Sequence, residues 1–261
     1  MPFVKHMPPF ACPDSTMAKG SVEHLRLAEA CISSWTAHLE EATAAWLAAP
    51  SLSNDWVSRL SHPLSDVIEE MNRDRSRRGA SLAELEACQA LTRLRPACSL
   101  AAELTTIASA LGVKPAAFRT HVVRTRGDNF GNVVTYRPPH CVTAEIEDLG
   151  IYLERHVAHA PLLSAIVAYC GVTAIHPFAD GNGRTARILF NLMLRRALNP
   201  HFFLPVFDIA GLSRGGLIIR QRQAHYHRQW EPVVDYFCDS VAALLAATDP
   251  GLKPAIAGTI K

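Results

Sequence analysis

Two glycines, two arginines and an asparagine lie within residues 181–187, at a junction between two apolar runs of the 261-residue chain. Glycine lets the backbone turn sharply and approach a ligand without a Cβ atom in the way. The first N–H groups of the helix that follows have no partner inside the helix and carry the positive end of its dipole. Arg184 and Arg187 lie on the same side of that first turn. The pattern predicts a phosphate-binding site formed by Gly181, Asn182, Gly183, Arg184 and Arg187.

Two further groups beside the glycines could do chemistry on a bound phosphate. Asp180 offers a hard carboxylate oxygen of the kind that holds Mg²⁺ together with a nucleotide. His176, at the end of the preceding apolar run, can accept a proton near neutral pH. Phe178, between them, is expected to pack and to turn the loop. The sequence therefore indicates phosphate chemistry on a magnesium nucleotide, with a base for an incoming hydroxyl group.

A turn without function is the simplest alternative, because short glycine motifs often occur by chance. Against it, two arginines at the start of a helix oppose the helix dipole and are unfavourable there without an anion.

A dinucleotide-binding site is a second alternative, since Gly181, Gly183 and Ala186 fit its fingerprint and Asp208 follows about 25 residues later. That site requires a strand before the glycines, where Pro177 is unfavourable.

The other histidines and the cysteines give no pattern typical of a metal centre. The histidine pairs at 156 and 159 and at 225 and 227 lack the H-E-x-x-H spacing of a metal hydrolase. The seven cysteines are scattered and odd in number, without a C-x-x-C pair. These features argue against a zinc site and a disulfide framework, and they favour a reducing compartment.

Charge and hydropathy exclude several classes of protein. The formal net charge is +2, which gives no indication of binding to nucleic acid or to a membrane surface. The first residues contain prolines and no continuous apolar segment, unlike a signal peptide. Residues 156–179 lack Asp, Glu, Lys and Arg but include His, Pro and Gly, so they indicate a buried core helix rather than a membrane span. We expect a soluble, cytoplasmic protein.

The elements that must position these groups are predicted to be mainly α-helical, with one β-hairpin flap. β-Branched runs in residues 120–136 flank a turn sequence, D-N-F-G, which is the pattern of a hairpin. Helical patterns begin at Thr143 and cover about 161–175, 184–198 and 216–247. These segments surround the predicted phosphate site on both sides.

The sequence also predicts how the chain is divided. We expect a disordered leader (1–20), an N-terminal helical region (21–112), a core with the hairpin flap (113–247) and a frayed tail (248–261). Within the helical region, the arginine-rich stretch 72–79 is predicted to be an exposed loop. The capping box at Ser81–Glu84 is predicted to open the helix that follows.

Residues 176–187, HPFADGNGRTAR, resemble the signature of the Fic family, H-P-F-x-D/E-G-N-G-R-x-x-R, at every fixed position. The resemblance covers about residues 56–240, and it implies transfer of AMP from Mg-ATP to a Ser, Thr or Tyr hydroxyl of a target protein. It implies that His176 deprotonates that hydroxyl and that Asp180 holds the magnesium ion. Residues 181–183 would form the anion hole, Arg184 would steady the phosphates, and Arg187 would engage the γ-phosphate.

The hairpin resembles the flap of the same family. This implies that Val133, Val134, Thr135 and Tyr136 align the target segment by strand addition. The partner is then a protein target, which could include the chain itself, and a homodimer stays open. Neither nucleic acid nor a membrane is expected as a partner.

Many Fic proteins carry an inhibitory helix whose glutamate pairs with the second motif arginine. The segment Ser65–Glu69, followed by Ser81–Glu84, resembles the form in which that helix precedes the core. Glu69 is therefore predicted to inhibit the enzyme by engaging Arg187. The next residue is Glu70 where the family has Gly or Asn, so the match is imperfect. Residues 71–73 could instead align Glu70 with the regulatory carboxylate, which makes Glu70 the alternative inhibitory residue.

Other activities stay open at this point. Within the family these are transfer of UMP or GMP, phosphocholine transfer, and removal of AMP. Phosphate transfer is disfavoured, because those relatives have Lys in place of Arg184. Outside the family the alternatives are an NAD(P)-binding protein and a non-catalytic interaction module with a decayed site, against which the intact motif argues.

Overall fold

The protein is described here from a computed structural model. The structure describes residues 4–14, 17, 19–34, 75–94, 96, 98–125, 132–213 and 215–248. Its elements, in chain order, are β1 (Val4–His6), α1 (Lys19–Ser34), α2 (Arg75–Thr92), α3 (Leu100–Ala110), β2 (Val133–Thr135), a 3-10 turn (Pro139–Cys141), α4 (Val142–His156), α5 (Pro161–Ile175), α6 (Asn182–Ala197), α7 (Val206–Leu212), α8 (Gly216–His227) and α9 (Glu231–Thr248). The prediction of a mainly helical fold is confirmed.

Helix α5 forms the centre of the core. Its sequence is apolar on all sides, and nearly all of its residues are buried. Proline at its first position suits a helix start, and the helix ends at His176, which has a left-handed backbone conformation with φ of 56°. It packs most extensively on α6 and also contacts α1, α4 and α9. None of the described helices is both long and apolar enough to cross a membrane.

Helix α2 differs from the prediction. It runs without interruption from Arg75, so residues 75–79 are helical rather than part of an exposed loop, and the helix does not open at the predicted capping box. Arginine and alanine favour helix, and the one glycine costs only about 1 kcal/mol relative to alanine. Burial of Leu85, Cys88 and Leu91 on the side that packs on α6 outweighs that cost.

The hairpin is present at its base. The Thr125 amide donates to the Val134 carbonyl oxygen at 2.9 Å, and the Tyr136 amide donates to that of Val123 at 3.0 Å. Arg124 and Thr135 form the corresponding antiparallel bridge. The predicted turn at residues 128–131 lies outside the described residues.

The start of the chain also differs from the prediction. Instead of a disordered leader, β1 pairs with β2 in parallel orientation. Phe10 packs against the core and makes edge-on ring contacts with His225 and Trp230, at centroid distances of 6.0 and 6.1 Å. An aromatic side chain supplies enough apolar area to hold such a segment in place. The predicted tail beyond residue 248 lies outside the described residues.

Candidate active site

His176 lies at the carboxyl end of α5, covered by the hairpin. The Tyr136 ring stacks on the imidazole with a centroid distance of 3.9 Å and an angle of 17° between the planes. Burial lowers the pKa of His176 from 6.5 to about 4, and a hydrogen bond to the Thr173 carbonyl opposes that shift. A proton on Nδ1, which lies 3.4 Å from that carbonyl oxygen, leaves Nε2 as an acceptor. The imidazole is therefore neutral at pH 7 and can act as a base.

The loop between α5 and α6 is closed by the Asn182 side chain. Its Oδ1 accepts a hydrogen bond from the Phe178 amide, and its Nδ2 donates to the Phe178 carbonyl, both at 2.8 Å. Phe178 is fully buried and contacts the Phe118 ring edge-on, which confirms the packing predicted for it. The Asn182 side chain is thus used within the loop, and only its main-chain N–H is available to a phosphate.

The two glycines allow close packing at the start of α6, where a side chain would not fit freely. Gly181 has φ of 82°, and a Cβ atom there would lie 2.6 Å from a methyl group of Val113. A Cβ atom on Gly183 would lie 3.3 Å from Nη1 of Arg187. The main chain of Gly183 and the Arg187 guanidinium therefore lie side by side and form a cradle at the start of α6. This cradle fits a phosphate group, because both the amides and the guanidinium can donate hydrogen bonds to it.

Asp180 is the exposed carboxylate of the site. Its side chain is 92% exposed, and its Oδ2 lies 3.7 Å from Nη2 of Arg184. An exposed carboxylate beside a phosphate cradle fits Mg²⁺, which usually keeps several waters and binds through few carboxylates together with substrate phosphates. Among the described residues, no group of three or more His, Cys, Asp or Glu side chains could hold a metal ion by itself.

Arg187 is held by Glu84 of helix α2. Nε of Arg187 donates to Oε1 and Oε2 of Glu84, at 2.8 and 3.0 Å, and Nη2 donates to Oε1 at 2.5 Å. Glu84 is only 2% exposed. Burial raises the pKa of its carboxyl group, and the hydrogen bonds and charge of Arg187 act against that shift. The carboxylate occupies one edge of the guanidinium and leaves the edge with Nη1 directed at Gly183.

Arg119 joins the hairpin to the loop between α5 and α6. Its guanidinium is buried and donates to main-chain carbonyl oxygens of His176 at 2.8 Å, His121 at 3.0 Å and Arg137 at 2.6 Å. Its own amide donates to the carbonyl of Pro177 at 2.8 Å. One side chain thus fixes the position of Tyr136, next to Arg137, relative to the His176 imidazole.

Comparison with known proteins places this site in a family. A sequence model described as the Fic/DOC family matches residues 98–194, which include helix α5, the loop and most of α6. This part of the chain belongs to the Fic/DOC family. A protein adenylyltransferase named fic-1 from Caenorhabditis briggsae is 40% identical over 70 residues. That alignment covers 26% of this chain and only 14% of the relative.

Solved structures of Fic proteins share the fold. A Fic family protein from Desulfovibrio desulfuricans G20 superposes with a TM-score of 0.62 at 20% identity, covering 94% of this chain and 78% of that one. A Fic domain containing signaling protein from Bacteroides thetaiotaomicron gives a TM-score of 0.58 at 17% identity, covering 86% and 96%. The similarity extends beyond residues 98–194, so the flanking helices follow the same architecture.

The Fic domain brings together most of the residues that the sequence indicated. The residues from His176 to Arg187 lie in one loop and helix start, and Tyr136 is added to them by the flap. Glu69 and Glu70 lie outside the described residues. Sequence reasoning missed Glu84 as a partner of Arg187 and did not notice Arg119. Glu84 could have been found from its place in the segment compared with the inhibitory motif.

Two partly buried histidines are expected to make the stability of the protein depend on pH. Burial lowers the pKa of His176 and of His225 to about 4, whereas the unfolded chain keeps them near 6.5. Between these values the unfolded state binds more protons, so stability is complete above pH 6.5 and falls as the pH drops. The expected loss is about 1.4 kcal/mol per pH unit for each histidine.

Urea unfolding at about pH 5 and about pH 7 measures this dependence. His225→Gln is expected to reduce the difference in unfolding free energy by about 2 kcal/mol. An equal pH dependence in the parent and in this variant would show that His225 is not buried in its neutral form.

Proposed function

We propose that this chain is a protein adenylyltransferase, which transfers AMP from Mg-ATP to a Ser, Thr or Tyr hydroxyl of a target protein. The observation that carries the proposal is a neutral, partly buried imidazole at one end of a glycine cradle beside Arg187. Phosphate binding and proton acceptance are thus joined in one loop. The names of the related proteins support the choice of AMP.

In the proposed reaction, the target hydroxyl oxygen attacks the α-phosphorus of ATP. The bond between that phosphorus and the bridging oxygen breaks, and pyrophosphate leaves. Nε2 of His176 takes the hydroxyl proton, while the amides of residues 181–183 and the two arginines bind the phosphates. Bound Mg²⁺, held by Asp180, would neutralise charge on the phosphates.

Regulation by a glutamate fits the Nη1 edge of Arg187, which makes no hydrogen bond to a side chain within the described part of the chain. Glu84 occupies the edge formed by Nε and Nη2, so the edge with Nη1 can bind either the γ-phosphate or a second carboxylate. We assign the second carboxylate to Glu69, as the sequence motif indicates. Competition for this edge would keep ATP from binding productively.

Glu69→Gly is therefore expected to raise self-modification by about tenfold, the effect of one charge-assisted hydrogen bond regained by the phosphate. The measurement is incorporation of label from [α-³²P]ATP into the purified protein. Glu70→Gly serves as the matched control on the neighbouring residue. Activation by Glu70→Gly alone would move the inhibitory role to Glu70.

The proposed function is tested by incubating the Glu69→Gly variant with a cell lysate and labelled ATP. Label from the α-position but not from the γ-position should enter protein bands. Parallel reactions with labelled GTP, UTP and CDP-choline measure the other transfers, and loss of label from modified bands on longer incubation measures removal of AMP. No label on any protein with any donor would favour a non-catalytic module.

A further inference from the structure

Both main-chain edges of β2 are occupied. On one edge it pairs with residues 123–125 of the hairpin. On the other edge it pairs in parallel with β1, in the register Val4 to Val133, Lys5 to Val134 and His6 to Thr135. The Met7 amide continues the ladder by donating to the Thr135 carbonyl oxygen at 2.9 Å. The chain thus supplies its own extended segment to the outer edge of its flap.

This register brings position 7 opposite the tyrosine whose ring covers the catalytic base. One residue beyond the last pair, Met7 lies opposite Tyr136, whose ring stacks on the His176 imidazole. Directly opposite residues of neighbouring strands share a face, and alternate residues of one strand do so too. The side chains at positions 5 and 7 are therefore on the face of Tyr136, and that at position 6 is on the other face.

The side chain at position 5 has a defined partner. Nζ of Lys5 lies over the Tyr226 ring, 3.6 Å from its centroid. An ammonium group in this position interacts with the ring quadrupole, which is worth about two- to fivefold in binding at an exposed site. Tyr226 thus marks a subsite for a basic side chain. In the target segment, that side chain would lie two residues before the residue at position 7.

The segment that fills the edge cannot itself accept a nucleotide. Residues 1–14, MPFVKHMPPFACPD, include no Ser, Thr or Tyr. Its pairing is also easy to exchange, because β1 has three residues and all of them are exposed. The ring contacts of Phe10 hold the following residues on the core independently of β1.

We propose that residues 4–7 occupy the outer edge of β2 in place of a target segment, and that a target must displace them to add its own strand there. The target segment runs parallel to β2, presents its hydroxyl group at the position of Met7, and carries a basic side chain two residues earlier, over Tyr226. This assignment depends on the proposed transfer of AMP to a hydroxyl group, and it adds the orientation, register and sequence pattern of the target.

A hydroxyl group introduced at position 7 tests the register. Met7→Ser, in the Glu69→Gly background, is expected to acquire AMP at position 7, found by mass spectrometry of the digested protein. The matched control is His6→Ser, since position 6 is on the opposite face, and its labelling is expected to be lower by roughly tenfold or more. Equal labelling at the two positions, or label elsewhere but none at position 7, would overturn the register.

A synthetic peptide tests the docking edge from outside. The acceptor peptide VKHSP copies residues 4–8 with serine in place of Met7. Removal of residues 2–7 from the protein should raise its rate of labelling, because the edge is then free. Norleucine in place of the peptide lysine should lower kcat/KM by about two- to fivefold, and Tyr226→Leu should abolish that difference.

The outcomes separate the two proposals. If no acceptor of any kind receives AMP, the proposed function fails. If the protein labels lysate proteins, but the truncation leaves peptide labelling unchanged or lowers it, the docking edge is wrong while the transfer activity stands.

Discussion

Replacing His176 with alanine is expected to lower AMP transfer by about 10²–10⁴-fold, the usual contribution of a general base. The imidazole is the group that we propose as acceptor of the hydroxyl proton, and the glycine cradle and both arginines stay in place in the variant. Binding of ATP should therefore change little, and the loss should appear in kcat. Single-turnover labelling of a lysate target with [α-³²P]ATP, together with ATP affinity by calorimetry, measures the two quantities separately.

The pH dependence of the parent gives a second test of the same residue. A base acts in its neutral form, and burial lowers the pKa of His176 to about 4. The rate should therefore be flat around neutral pH and fall only as the pH approaches 4. Tyr136→Ala exposes the His176 ring to water, so its pKa should rise towards 6.5. The rate of this variant should therefore begin to fall at a higher pH than that of the parent. Full activity of His176→Ala would contradict the role of His176. So would a Tyr136→Ala variant whose rate falls at the same acidic pH as that of the parent.

The core of the site could be predicted because its groups are neighbours in the sequence. The segment 176–187 has a helix end, a glycine turn and a helix start, and each of these has a local sequence signal. Helix α5 coincides with the predicted 161–175, because its apolar sequence and its first proline mark it clearly.

The partners that orient the site could not be predicted in the same way. Glu84 and Arg187 are 103 residues apart, and only packing of α2 on α6 brings them together. Arg119 acts through main-chain carbonyl groups, which every residue has, so no residue pattern reveals its partners. The pairing of β1 with β2 was missed because four prolines and several polar residues among the first 20 offer little apolar surface to bury, which is typical of a disordered leader.

Glu84→Gln is expected to lower AMP transfer by about 10²-fold, because a shift of one ångström in a binding group has an effect of this size. Glutamine keeps the volume and one acceptor oxygen but loses the charge that holds Nε and Nη2 of Arg187. The guanidinium can then turn, and Nη1 no longer faces Gly183. Single-turnover labelling measures the rate, and Glu86→Gln, an exposed position on the same helix, is the control.

The free energy of unfolding distinguishes a variant that destabilises the fold from one that only changes the orientation of Arg187. Glu84→Ala leaves the guanidinium of Arg187, whose side chain is 13% exposed, without its partner. Breaking such a buried pair costs about 3–5 kcal/mol in the free energy of unfolding, measured by urea denaturation. Glu84→Gln should cost less, so its loss of activity can be measured on folded protein.

The sign of the effect decides between two roles for Glu84. A carboxylate that inhibits the enzyme raises activity when it is removed, as expected for Glu69, whereas one that orients Arg187 lowers it. In the double variant Glu69→Gly with Glu84→Gln, an orienting role predicts that the activation by Glu69→Gly is largely lost, because the edge that is freed no longer faces the phosphate. Activation by Glu84→Gln alone, equal to that of Glu69→Gly, would instead make Glu84 the inhibitory residue of this chain.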